Sequence, residues 1–201
     1  MPDPHKTDPC LDRYDPISCD ETREPGPITR DEVRFAQQES CRRLLEISEK
    51  FNSSPQGNYR QAAIDFINDL YDFPGKVFFR PTLAQFPNNF RTTFDGTLEY
   101  FIGRPGHPEE GFATKNLIEA KFSNRVDRED PAIQIYERDN IAVAMGNVCL
   151  KESVITTGGG LIKDIVVDKV FVYRKVRNCH LKLTVHMSAQ RNATPSEKAF
   201  E

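Results

Sequence analysis

Apolar residues recur with a helical period from about residue 30 to residue 103, and from about residue 112 onwards they recur at every second position. "TRDE" places Thr29 as an N-cap and Glu32 three positions into the following helix, the pairing of a capping box. Val33, Ala36, Leu44, Ile47 and Phe51 continue the apolar stripe to about residue 51, where "SSPQG" breaks it. A second helix is expected in "NYRQAAIDFINDLYDF", with Tyr59, Ala63, Phe66, Ile67 and Leu70 on one face and Pro74-Gly75 at its end. "KVFF" reads as a short strand. "FRTTFDGTLEYFIG" reads as a third helix closed by Gly103, with Phe94, Leu98 and Phe101 on one side. Strands are expected over 113–125, 131–138, 140–152, 161–175 and 180–190, with turn signals between them. "TTGGG" at 156–160 joins two of these strands, so it is a hairpin turn and not a phosphate-binding loop.

Helices followed by strands imply an α+β fold, three N-terminal helices packed on one face of an antiparallel sheet. The repeated prolines before residue 29 predict a flexible N-terminal tail over 1–28, a single domain over 29–190 and a C-terminal tail over 191–201. The last strand, "HLKLTVHMSAQ", carries an unusual row. Strict alternation puts Thr184, His186 and Ser188 on one face and Leu183, Val185 and Met187 on the other. Such a polar row is either a solvated face or the lining of a pocket.

Composition narrows the classes. The 14 Phe and 6 Tyr, with no Trp, point to an aromatic core in a chain of 201 residues. Acidic residues number 30 against 27 basic ones, so no broad electrostatic partner is implied, neither nucleic acid nor anionic membrane. No apolar run approaches the roughly 20 residues of a membrane-spanning helix, and the polar, proline-rich start has no signal-peptide core. Five cysteines without a C-x-x-C pair imply reduced thiols. In such a compartment the two sequons, at Asn52 and Asn192, go unused. A three-histidine metal centre is not expected from His5, His107, His180 and His186. His180 and His186 stand about 20 Å apart on one strand at ~3.3 Å per residue, and His5 lies in the tail.

The phrases "KVFFRPTLAQFPNNFRTTFDGTLEYFIG", "GFATK", "IAVAMGNVCL", "DKVFVYRK" and "LKLTVHMSA" together resemble the iota-class carbonic anhydrases. These are metal-independent proteins of algae and bacteria with a cone-shaped nuclear transport factor 2-like (SnoaL-like) fold. The resemblance covers about residues 59–189. It implies reversible hydration of carbon dioxide to bicarbonate with no cofactor or metal, in a plastid or cytoplasm. It also implies site residues: Thr82 in "RPT", Tyr100 in "EYFIG", and His186 and Ser188 in the last strand. Where the family's strand reads His-His-Ser-Ser, this chain reads His186-Met187-Ser188-Ala189, and a tryptophan common near Asn116–Leu117 is absent. By alternation, Met187 and Ala189 point away from the site.

The residue types suit that chemistry. Hydroxyls both donate and accept, so they hold water and bicarbonate in turn, and His186 has the titration range of a proton relay. Two other readings are a non-catalytic oligomerisation or small-ligand-binding module, and a cone-fold isomerase or dehydratase using an Asp–His pair with Asp95. Finally, Phe171, Tyr173, Leu183, Val185 and Met187 alternate along the last two strands, predicting a homodimer through an apolar outer sheet face.

Overall fold

Helix α1 spans Arg30–Asn52 and opens on the expected capping box. The Glu32 N–H donates to Thr29 Oγ1 at 3.2 Å, and the Thr29 N–H donates to the Glu32 carboxylate at 2.8 Å. Helix α2 is Tyr59–Leu70, strand β1 is Phe78–Arg80, and helix α3 is Phe94–Ile102 with Thr93 as its N-cap. The strands β2 Leu117–Ser123, β3 Ile133–Tyr136, β4 Ile141–Thr156, β5 Gly159–Lys175 and β6 Leu181–Gln190 follow. This computed structural model describes residues 26–53, 57–73, 75–82, 89–123, 132–157, 159–176 and 181–190. Residues 1–25 and 191–201, most of the two expected tails, lie outside it, as do His5 and His180. The expected N-terminal tail ends in ordered packing: Ile28 is buried in the core, and the Pro27 carbonyl accepts from Lys175.

The sheet order is β1-β6-β5-β4-β2, with β3 also paired to β4. All pairings are antiparallel except β1 with β6, which is parallel. The sheet is therefore mixed, not wholly antiparallel. A three-residue strand has no hairpin to set its direction, so it docks on the free edge of β6 as the preceding helix delivers it. The core between helices and sheet is aromatic: Phe66, Tyr71, Phe79, Phe101, Phe171 and Tyr173 are all buried. Phe79 of β1 is its hub, with ring centroids 5.8 Å from both Tyr71 and Phe101 and 5.1 Å from Tyr100.

The strict alternation expected along β6 is interrupted. Val172 pairs with Val185 but Tyr173 pairs with Leu183, so Thr184 is an extra residue, a β-bulge. The bulge flips parity. Leu181 and Leu183 face the core before it, and His186 and Ser188 face the core after it. Thr184 leaves the row, half-buried, with its hydroxyl donating to the Val172 carbonyl at 3.2 Å. Phe171, Tyr173 and Leu183 are likewise buried against the helices, so they form no outer face. The outer face instead carries Phe78, Val185, Val172 and Val143 in one cross-strand row and Met187, Val170 and Met145 in the next.

Gly103 ends α3 at φ 77° and ψ 169°, a region that only glycine occupies at low cost. A Cβ there would also stand 2.1 Å from the His107 carbonyl oxygen. Gly103→Ala is expected to lower stability by more than about 2 kcal/mol, because backbone on both sides must move. Gly106→Ala, at φ 84° with open space around it, should cost only about 1 kcal/mol. Denaturant titration of the two variants checks the contrast.

Candidate functional site

The last turn of α2 is tied directly to β6. Tyr71 caps the helix, its N–H donating to the Ile67 carbonyl at 2.9 Å, and the next amide, Asp72, donates to the Leu183 carbonyl at 3.0 Å. These bonds aim the Tyr71 side chain along the inner face of β6 towards His186. The Tyr71 hydroxyl lies 2.7 Å from His186 Nδ1. The other ring nitrogen, Nε2, lies 2.9 Å from the Lys169 amine. Phe79 stacks on the imidazole at 4.4 Å between centroids, and Phe171 meets it edge-on at 4.6 Å. Both nitrogens are thus engaged, and Phe79 covers one ring face.

Lys169 reaches this position from the inner row of β5. Its cross-strand neighbours are Ser188 on β6 and Gly146 on β4, so one side offers a hydroxyl and the other no side chain. Ser188 is buried; its hydroxyl donates to the Arg80 carbonyl at 3.2 Å, and the Arg80 guanidinium returns a bond to the Ser188 carbonyl at 3.2 Å. Thr82 follows two residues after Arg80, at that end of β1. Its Oγ1 is buried, and among the described residues nothing hydrogen-bonds it. Tyr100 enters from α3, packed edge-on against Phe79 and stacked on Phe112 at 5.5 Å. Its phenol is near enough to Tyr71 to act on it electrostatically. Tyr100, His186 and Ser188 therefore share the core side of the sheet, with Thr82 at its β1 edge.

The electrostatics follow from burial. His186 is held well below the usual imidazole range, first by desolvation and then by the neighbouring Lys169. Desolvation pushes Lys169 down to about 7, opposed only in part by Cys41. Cys41, on α1, is raised to about 12 by its own burial. Tyr71 is raised well above its usual value by burial, then by Tyr100 and Tyr173. His186 is thus a neutral imidazole at neutral pH and not the titrating relay that its free value suggests. The amine beside it is the group that titrates near neutrality.

Neither Tyr71 nor Lys169 stands out as a site residue in the sequence. Lys169 sits between Val167 and Phe171 in a row otherwise apolar, but Asp168 and Arg174 on the opposite face leave charge on both sides. Tyr71 lies one residue past its helix, where the period no longer assigns a direction. Asp95 is exposed in the first turn of α3, on no path to His186 through the contacts described, which removes the basis of the Asp–His reading. His107, Glu109 and Glu110 bring ligand atoms within 4.8 Å of one another on an exposed turn, but Arg104 already holds Glu110 through two bonds of 2.9 Å.

Three helices laid over one face of a mixed sheet, with polar side chains gathered between the layers, make an α+β architecture. The profile of the metal-independent carbonic anhydrase family matches residues 31–190, and the chain belongs to that family. It is 33% identical over 165 residues to a metal-independent carbonic anhydrase from Nostoc sp. (strain PCC 7120), covering 81% of this chain and 73% of that one. The crystal structure of a cyanobacterial iota-carbonic anhydrase complexed with bicarbonate superposes with a TM-score of 0.70 at 31% identity, over 86% of this chain and 98% of that one. An NTF2-like superfamily protein from Salmonella enterica gives a TM-score of 0.44 at 15% identity, over 84% of this chain and 99% of that one.

The lysine has a stability consequence. Its folded value is depressed from 10.5 to about 7, so between these values the unfolded chain binds the extra proton. Stability therefore rises as pH increases from about 7 towards 10, and the cost of the buried charge is complete below 7. Thermal unfolding across this range should show wild type gaining on Lys169→Met by an amount on the order of a few kcal/mol. A constant difference between the two would show that Lys169 is not desolvated.

Proposed function

We propose that the protein catalyses the reversible hydration of carbon dioxide to bicarbonate without a metal, at the inner face of β6 among Thr82, Tyr100, His186 and Ser188. The observation that carries this reading is the burial of His186 and Ser188 on one row beside a polar chain, while Met187 and Ala189 point outwards. The two residues in which this strand departs from its family's usual motif are the two that face away from the site. The retained pair faces inwards.

The chemistry needs an apolar wall for a linear, apolar substrate and donors for the oxygen charge that develops as water adds. Phe79 and Phe171 supply the wall around His186. Tyr100 and Thr82 supply hydroxyl donors, and an oxygen ligand would satisfy the buried Thr82 hydroxyl, whose unpaired state otherwise costs about 1–3 kcal/mol. Ser188 gives its proton to the Arg80 carbonyl and so offers lone pairs to a water. That the cyanobacterial relative was crystallised with bicarbonate supports the same ligand here. Tyr100→Phe, Ser188→Ala and Thr82→Val should each lower the hydration rate at least tenfold, about 1.4 kcal/mol in barrier, with melting temperature near wild type. The wild-type rate should survive exhaustive chelation. Stopped-flow hydration assays check both, and a rate abolished by the chelator and restored by zinc would overturn the reading.

Assembly as a homodimer through the outer sheet face belongs to the same proposal, carried by residues other than those alternation suggested. Phe78, Met145 and Met187 are about half exposed there, between valines of neighbouring strands. Cys149, Val166 and Ile162 extend the face along β4 and β5. Two apolar cross-strand rows, with that extension beyond the Asn147–Asp168 pair, are the surface a second copy would cover. Val172→Lys combined with Met187→Lys is expected to convert a dimer to a monomer in light scattering at micromolar concentration. A monomeric wild type would remove the interface.

A further inference from the structure

We infer that Lys169, acting through His186, takes up the proton released when carbon dioxide is hydrated. The inference rests on the hydration reading above and identifies the proton acceptor that a site of hydroxyls lacks. Lys169 is the one lysine or arginine buried among the described residues, and no carboxylate among them forms a salt bridge with it. Its hydrogen-bond partner is an imidazole, itself a base, at 2.9 Å, and the far nitrogen of that ring meets a phenol at 2.7 Å. A cation placed only for stability would be paired with an anion. An amine in line with an imidazole and a phenol is a path for a proton.

The groups facing Lys169 are few. Cys41 approaches from α1 and His186 and Ser188 from β6, with Tyr71 beyond the imidazole; Tyr173 lies farther along its own row, and Gly146 on β4 brings no side chain. Cys41 and the two tyrosines stay protonated through neutral pH. The titration near 7 therefore belongs to the Lys169–His186 pair.

The step balances. With the amine neutral, His186 donates Nε2–H to the Lys169 lone pair and accepts at Nδ1 from the Tyr71 hydroxyl. Water forms its bond to the carbon of carbon dioxide, a C–O π pair moves onto oxygen, and the breaking O–H bond passes its proton to Tyr71. Tyr71 gives its own proton to Nδ1, and Nε2 gives its proton to Lys169. Bicarbonate, an ammonium and a neutral imidazole of the opposite tautomer result. The chain resets when the ammonium returns a proton to Nε2, Nδ1 returns one to Tyr71, and Tyr71 releases one to water and on to buffer. The transfer runs through the imidazole without requiring the imidazolium that burial disfavours.

The test uses the full chain in stopped-flow hydration assays from pH 6 to 9. Wild type is expected to gain rate through the range near 7 and level off above it. Lys169→Met should be at least tenfold slower, lose the pH rise, and recover in part with added imidazole as a diffusible base. Lys169→Arg, which keeps a cation but gives up no proton, should be equally impaired, with circular dichroism showing both variants folded. Lys169→Met with the wild-type rate and profile, or Lys169→Arg with full activity, overturns the inference while an active wild type leaves the hydration reading intact. An inactive wild type overturns both. Should the variants not fold, nitrogen NMR of labelled wild type still decides. The His186 tautomer should switch from Nδ1–H to Nε2–H as pH rises through 7, and an unchanging tautomer overturns the inference.

Discussion

An amine, an imidazole and a phenol are tolerated in this aromatic core because each hydrogen-bonds the next. Left unpaired, any one of them would cost the fold about 1–3 kcal/mol. The chain from Lys169 through His186 to Tyr71 also joins β5, β6 and the end of α2, so the bonds that satisfy buried polarity hold helix layer to sheet. The rest of the site is arranged round it. Phe79 lies between the imidazole and Tyr100, touching both, and Ser188 stands opposite Lys169 one step along the same row.

Burial also separates the roles of these groups. An exposed histidine would titrate near neutrality and an exposed lysine would remain charged. Desolvation lowers both, leaving His186 neutral throughout and bringing Lys169 to about 7. The two groups exchange the parts their free values would assign, and the apolar walls around them are the cause. A catalyst that lacks a metal to acidify water gains most from a base poised near the working pH.

The two faces of β6 divide the work of the strand. His186 and Ser188 are turned to the interior, whereas Met187 and Ala189 are turned outwards, where apolar substitution adds contact area without touching the polar row. An outward residue of this strand can change without breaking a hydrogen bond of the inner row. Inward ones are constrained by hydrogen bonds on every side.

Much of this was legible along the chain, because helix period, capping and turn chemistry are local. The capping box at Thr29 and Glu32, the closing glycine at 103 and the hairpin at 156–160 depend on neighbours a few residues away and formed as read. The motifs around Thr82, Tyr100, His186 and Ser188 led to the family that the profile identifies. Three features waited for the tertiary structure. The bulge at Thr184 reversed the facing of Leu183 relative to His186, and a single inserted residue leaves no mark on a period of two. The parallel docking of β1 depended on how α2 delivers it to the edge of β6. The chemistry of Lys169 and Tyr71 arose only when residues 71, 169 and 186 met in a space from which water is excluded. Burial and hydrogen bonding set a side chain's proton affinity, and both are properties of the assembled fold, not of the order of residues.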